Sequence, residues 1–486
     1  MESDVRVLSC VCRGGLSFTK MCGTWQMNKP FAFIVILIFS HAAGCKDRDL
    51  PVREVPENWT VELDISSVES VVMDPETILK DAEAFWEHNK TLEVVKMWHS
   101  LRSQPIRYDE WEKTLARYAS TRPGKRQHNS TFRLAKRIAD NKEVIFSNAI
   151  AHINNFLPRY DLQYKSTVYI TTGISASAFA VSSVEDHVVI NISNPYWQGD
   201  YTSILNAVLH ELFHTGYNTA QVFRTEVDIT NSDYDNLLTG LQNEGMATYV
   251  AYLAQSMFPC PVERDFRLLE KPTEVRRRLT MLNSLFSNAE SLSVEELRRQ
   301  SWETGVENRA YYVVGGYMAK TIDEKSGRNT LVETIRTGPR SFIDTYNSLA
   351  EEEMKVCQLP SPAELTIFQR LRRAAIEKDY DLVERLIEAI EKGTEQPDST
   401  SEYTLNFAGS ALRHRGNINL AFEVFQLSQR LFPNSIAPLY GLADIYLKKN
   451  EIDKAIGCYE TIATKDTFPL YAERMLAELK EPHPNP

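Results

Sequence analysis

The sequence predicts an α+β domain, mainly helical with a small sheet, followed by an all-α helical-repeat domain. Three observations carry that expectation. Apolar residues recur at helical spacing through most of residues 76–358. A cluster of β-branched runs, Thr167 to Thr172, Ala178 to Ser182 and His187 to Ile192, interrupts them. After Pro360 the pattern becomes uninterrupted helix pairs with a 34-residue period. The chain has 486 residues, enough for two or three domains, and its 24% charged and 43% hydrophobic content is that of a globular protein. A net charge of −11 leaves no dominant basic field and argues against a nucleic-acid partner.

The first segment, residues 1–45, reads as an N-terminal extension and a lipoprotein signal peptide. Lys29 precedes an apolar run from Phe31 to Phe39, and Ala42-Ala43-Gly44 leads into Cys45. The run is too short to span a bilayer core of ~30 Å. The A-A-G-C ending resembles a bacterial lipobox, which implies export across the bacterial inner membrane and a lipid anchor on Cys45 at the membrane surface of the cell envelope. An ordinary signal peptide with an incidental Cys45 is the alternative. Met27 is a second possible initiator, in which case residues 1–26 are not translated. Cys260, Cys357 and Cys458 are too far apart for a disulfide framework and have no metal-ligand spacing. Residues 46–75, charged and holding Pro51, Pro56 and Pro75, read as a tether.

Residues 76–358 are expected to form the main domain. Helical patterns occupy Thr77 to Leu101, Tyr108 to Ala119 and Phe132 to Leu157, and His88, His99, His128 and His152 in or beside them read as structural. The three β runs follow, and the last two join as a hairpin around Glu185-Asp186. Next, Ser203 to Tyr217 reads SILNAVLHELFHTGY, an apolar helix with Ser203 or Thr202 as N-cap. Its H-E-x-x-H pattern sets His210 and His214 one turn apart on one face, as two imidazole ligands of Zn²⁺. Glu211 then stands where a general base for water is needed. Asn243-Glu244-Gly245, on a second helix over Tyr234 to Ala254, offers Glu244 as the third ligand. Two imidazoles favour zinc over Mg²⁺ or Ca²⁺.

HELFH followed by QNEGMATY resembles the gluzincin metallopeptidases, whose third ligand is a Glu on a downstream helix. With the stretch from Ala310 to Phe342, the middle third of the chain is similar to an uncharacterised family of zinc-dependent bacterial peptidases. The resemblance implies a zincin-like catalytic domain, in which an edge strand, here within Gly173 to Ser182, pairs with an extended substrate. It also implies a tyrosine downstream of the third ligand as oxyanion donor. Tyr312 ranks ahead of Tyr311 on that resemblance alone, and core packing of both rings is the alternative. The sequence departs from the pattern at Thr248, where an acidic residue would orient a zinc histidine, and has no exopeptidase G-x-M-E-N motif.

Residues 359–486 follow tetratricopeptide spacing. Leu405, Ala408, Leu412, Gly416, Ala421 and Phe425 recur 34 residues later as Leu439, Leu442, Tyr446, Asn450, Ala455 and Tyr459. Ile367 to Ile390 reads as a degenerate first unit and Tyr471 to Leu479 as a cap. Such an array either offers a concave face to a protein partner or braces the neighbouring domain.

The sequence thus points to a secreted, lipid-anchored zinc metallopeptidase acting on a peptide or protein substrate. His210, His214 and Glu244 would hold zinc, Glu211 would move the proton and Tyr312 would serve the oxyanion. Two alternatives stay open: a non-catalytic zinc-containing surface lipoprotein that binds proteins through its array, and a zinc hydrolase of a non-peptide amide or ester.

Overall fold

A computed structural model describes residues 51–480, apart from 74, 82–84, 86–88, 102–111, 114–115, 118–119, 161, 175, 183–184, 226–231, 360–363, 399 and 467–468. The signal segment and Cys45 lie outside the described residues, as do His88 and the side chain of His128.

Among the described residues four strands make one sheet: β1 (Trp59–Asp64), β2 (Tyr164–Thr171), β3 (Ala178–Ser182) and β4 (Asp186–Asn191), in the order β1-β2-β4-β3. β1 and β4 flank β2 in parallel, and β3 runs antiparallel to β4 at the edge. The expected hairpin is therefore present, with Ser182 opposite Asp186. β1 corrects the expected tether. Residues after Pro56 alternate through Trp59, Val61 and Leu63, and Trp59 stacks on Tyr164 at 4.5 Å, so this stretch is bound into the sheet. The helix α1 (Ser66–Met73) continues it, with Val68 and Val71 buried.

The remaining described helices before the sheet's second strand are α2 (Pro75–Lys80), α3 (Lys90–Leu101), α4 (Arg122–Asp140) and α5 (Lys142–Ile153). Alternation decides which face of the sheet each residue serves. Tyr169, Phe179, Val181 and Val189 point to one side and pack with Leu92, Val94 and Val95 of α3. Val168, Ile170, Val188 and Ile190 point to the other, into the main core. There lies α6 (Tyr201–Ala220), the H-E-x-x-H helix. Its N-cap is Asp200, rather than Ser203 or Thr202. The Asp200 carboxylate takes the Ser203 N–H at 2.9 Å and both neighbouring hydroxyls, which an acceptor-only group does best.

α7 (Ser232–Leu253), α8 (Arg264–Leu269), α9 (Pro272–Asn288) and α10 (Val294–Ser301) follow. A π-helical turn, Trp302–Glu307, leads into α11 (Ala310–Ser326), then α12 (Arg328–Thr337) and α13 (Pro339–Leu349). α7 and α11 cross with unusual closeness because glycine meets glycine. A Cβ built on Gly245 would lie 2.3–2.4 Å from Gly315 backbone atoms, and one on Gly315 would lie 2.3 Å from the Leu241 carbonyl oxygen.

Three helix pairs close the chain: α14 (Ile367–Glu377) with α15 (Tyr380–Glu391), α16 (Ser401–His414) with α17 (Ile418–Leu431), and α18 (Ala437–Lys448) with α19 (Ile452–Lys465). α20 (Leu470–Lys480) follows. Gly416 and Asn450, 34 residues apart, both take positive φ, 81° and 57°, between the helices of a pair. The apolar core runs on across residues 358–359, joining α6 and α7 to Ile367, Leu371 and Leu405. Arg372 is buried there, 1% exposed, and donates to the Gln221 carbonyl at the end of α6. Burial pushes its pKa down to about 10, which still leaves it charged at neutral pH.

Gly245→Ala is expected to lower stability by ~1–3 kcal/mol or more, because the methyl must displace backbone rather than a flexible side chain. Thermal unfolding checks this, and an unchanged midpoint would contradict the close crossing.

Candidate metal centre and cleft

His210 and His214 lie on α6 and Glu244 on α7, two helices brought together by the apolar face each presents to the core. Their ligand atoms converge. His210 Nε2 and His214 Nε2 are 3.2 Å apart, and Glu244 Oε2 lies 3.5 and 3.4 Å from them. Donors at ~2.0–2.1 Å around a tetrahedral zinc are separated by about 3.3 Å, so the three atoms already stand near the corners such an ion requires. Among the described residues this is the one such group of His, Cys, Asp or Glu. His152 is elsewhere, hydrogen-bonded through Nε2 to the Val250 carbonyl, and His99 packs against Trp98.

Without a metal the same atoms hold a proton. Burial works against a His214 cation, but Glu244 and Glu211 outweigh it and raise its pKa to about 9. Burial likewise works against the Glu244 anion, yet His214 and His210 hold that carboxyl well below its ordinary range.

The group that orients a zinc histidine, absent at Thr248, is Asn243. Its Oδ1 accepts from His214 Nδ1 at 2.9 Å, which fixes the ring with Nε2 toward His210 and Glu244. Asn243 stands beside Glu244 in the sequence. The signal was therefore in view, but its role depends on a contact between helices.

All five expected site residues line one cleft of about 590 Å³: His210, Glu211, His214, Glu244 and Tyr312. Tyr311 does not. Its ring fills the space beside Gly240 and Gly305 in the core. The Tyr312 ring lies near-parallel to His210, centroids 6.4 Å apart. Burial, reinforced by Glu244, holds its phenol far above the usual range, so at neutral pH it is an O–H donor. Edge strand β3 contributes Ala178, Phe179 and Ala180 to the wall, while Gly173 (φ 84°) belongs to the preceding turn.

Two cleft features escaped the sequence reading. Trp98, on α3, reaches the cleft across the sheet edge and stacks on Phe179 at 4.5 Å. Arg309 also lines it, its guanidinium 3.3 Å from the Tyr312 ring centroid and bonded to the buried Asp265 carboxylate at 2.6 and 2.8 Å. Nothing in residue type or spacing ties Arg309 to Asp265 across 44 positions.

Two imidazoles and a carboxylate at this spacing, open to a cleft, form a group that could hold a metal ion. The chain belongs to the family described as "Putative zinc dependent peptidase (DUF5700)", whose model matches residues 71–355. The family is zinc-dependent, so zinc is the cofactor, and its matched span contains all of these residues. No curated protein and no solved structure matches the chain.

Asn243→Ala is expected to weaken zinc binding about 10–100-fold while leaving all three ligands in the chain. Chelator competition measures this, and wild-type affinity would remove Asn243 from the metal site.

Proposed function

We propose that this protein is a gluzincin-type metallopeptidase with a zincin-like catalytic domain and a tetratricopeptide-like array, exported and lipid-anchored in the bacterial cell envelope. The observation that carries the catalytic reading is the near-tetrahedral spacing of the His210, His214 and Glu244 donors in a cleft that also holds Glu211 and Tyr312. Zinc held by these three residues supplies Lewis acidity for water and for the scissile carbonyl.

The chain's own groups supply the rest. The free edge of β3 takes up the substrate backbone as a further strand, which fixes the scissile bond beside the histidines. Glu211, 9% exposed at the cleft wall, removes a proton from the attacking water and hands it to the departing amine. Tyr312, kept protonated by burial, donates its O–H to the developing oxyanion.

The two carboxylates carry different duties, which separates them by experiment. Glu211→Gln keeps the shape and the hydrogen bonds but cannot accept the proton. It is expected to retain about one zinc per chain and lose ~10²–10⁴-fold in turnover. Glu244→Ala is expected to lose metal and activity together. Elemental analysis alongside cleavage of a peptide library reads both, and zinc loss from Glu211→Gln would reverse the assignment.

The envelope location rests on the signal and the A-A-G-C ending at Cys45. Full-length protein made in a bacterium is expected to enter the detergent phase and take up labelled fatty acid, and Cys45→Ser to do neither. An unlabelled, soluble wild type would overturn the anchor.

A further inference from the structure

The cleft wall carries a cation that hydrolysis itself does not require. Arg309 sits between the π-helical turn and α11 with φ 61° and ψ 26°, the left-handed region. A glycine would adopt that conformation without strain, whereas a side chain there costs energy that the surroundings must offset. The surroundings hold the turn firmly. Arg278, 6% exposed, donates to the Asn308 carbonyl at 2.9 Å, and the Asn308 N–H and side chain both bond the Glu303 carbonyl at 2.9 Å.

The guanidinium is oriented as well as fixed. Its Nε and Nη2 both donate to one Asp265 oxygen, Oδ2, and its carbon lies over the Tyr312 ring. A guanidinium offers five N–H donors. The edge formed by Nη1 and Nη2 therefore keeps donors for a further partner, and Arg309 remains 23% exposed in the cleft while Asp265 is 1% exposed. The His210 ring and the guanidinium are 6.4 and 3.3 Å from the same Tyr312 centroid. They are thus within about 10 Å of each other, roughly three residues of extended chain at ~3.3 Å each. Of the other charged groups on the wall, Glu263 is already occupied by the Tyr196 hydroxyl at 2.9 Å, and Arg264 is largely exposed at 59%.

We propose that Arg309 recognises a carboxylate on the substrate within about three residues of the cleaved bond, which makes the enzyme selective for acidic peptides or for bonds near a free C-terminus. The planar fork matches a carboxylate in two-point contact, and Asp265 and Tyr312 hold it in that pose before substrate arrives. This deepens the peptidase reading and rests on the same cleft.

The test measures binding, so that it does not depend on turnover. Zinc-loaded full-length Glu211→Gln is titrated with fluorescent tetrapeptides in matched pairs: a free C-terminus against its amide, and an internal Glu against Gln in an amide-capped chain. One member of a pair is expected to bind roughly 10–100-fold more tightly than its neutral partner. The first pair identifies a terminal carboxylate and the second a side chain. Adding Arg309→Met should erase the difference, and Arg309→Lys should restore part of it, with circular dichroism checking the fold of each. Equal binding within both pairs would overturn the proposal. So would an Arg309→Met variant that weakens both members alike, since that is the signature of a brace for Tyr312. A carboxylate preference in a wild type that cleaves none of the peptides would leave this inference standing and remove the peptidase reading.

Discussion

The site depends on one contact that contains no side chain. Where α7 crosses α11, Gly245 and Gly315 bring two backbones nearer than any Cβ allows. Gly245 follows the ligand Glu244 directly, and Gly315 lies three residues after Tyr312. The crossing therefore sets how far the third ligand and the phenol stand from the histidines on α6. Close helix approach of this kind costs dispersion contacts that larger side chains would make.

Local chemistry was legible in the sequence, and distance was not. His210 and His214 could be placed together from the sequence because a helix fixes a four-residue spacing by itself, and Glu244 could be named as a carboxylate on a second helix. Strand β3 was readable to the residue. The long helical pattern ending at Leu157 was read as unbroken, yet it divides at Asn141, whose side chain bonds the Arg137 carbonyl instead of continuing the ladder. β1 was hidden because prolines at 51 and 56 make its neighbourhood look like a linker, and the sheet that claims it begins a hundred residues later. Asn243, Arg309 and Trp98 share one reason for being missed: each acts through a partner on another element.

The C-terminal helix pairs are joined to the helices and sheet before them by charge as well as by apolar contact. Arg372 enters the core to meet the C-terminal end of the H-E-x-x-H helix, where the last carbonyls have no partner within the helix. A buried guanidinium there adds a second donor to a carbonyl that already accepts the Arg224 N–H, and it faces the negative end of the helix dipole. At the opposite end of the stack, Arg474 on α20 bonds Glu185, in the turn between β3 and β4.

Those two grips give the stack a length as well as a shape. One holds the end of the helix that carries the histidines, and the other holds the hairpin whose outer strand forms the lip of the cleft. Between them lie the helix pairs α14 to α19, so the C-terminal helices are held to the rest of the chain at two separated places. Solenoids elsewhere gain or lose units freely because each touches only its neighbours. Here Arg372 and Arg474 each bond a residue outside the helix pairs. Any change in the helices between those two contacts has to keep both, a constraint that acts on the tail of the chain.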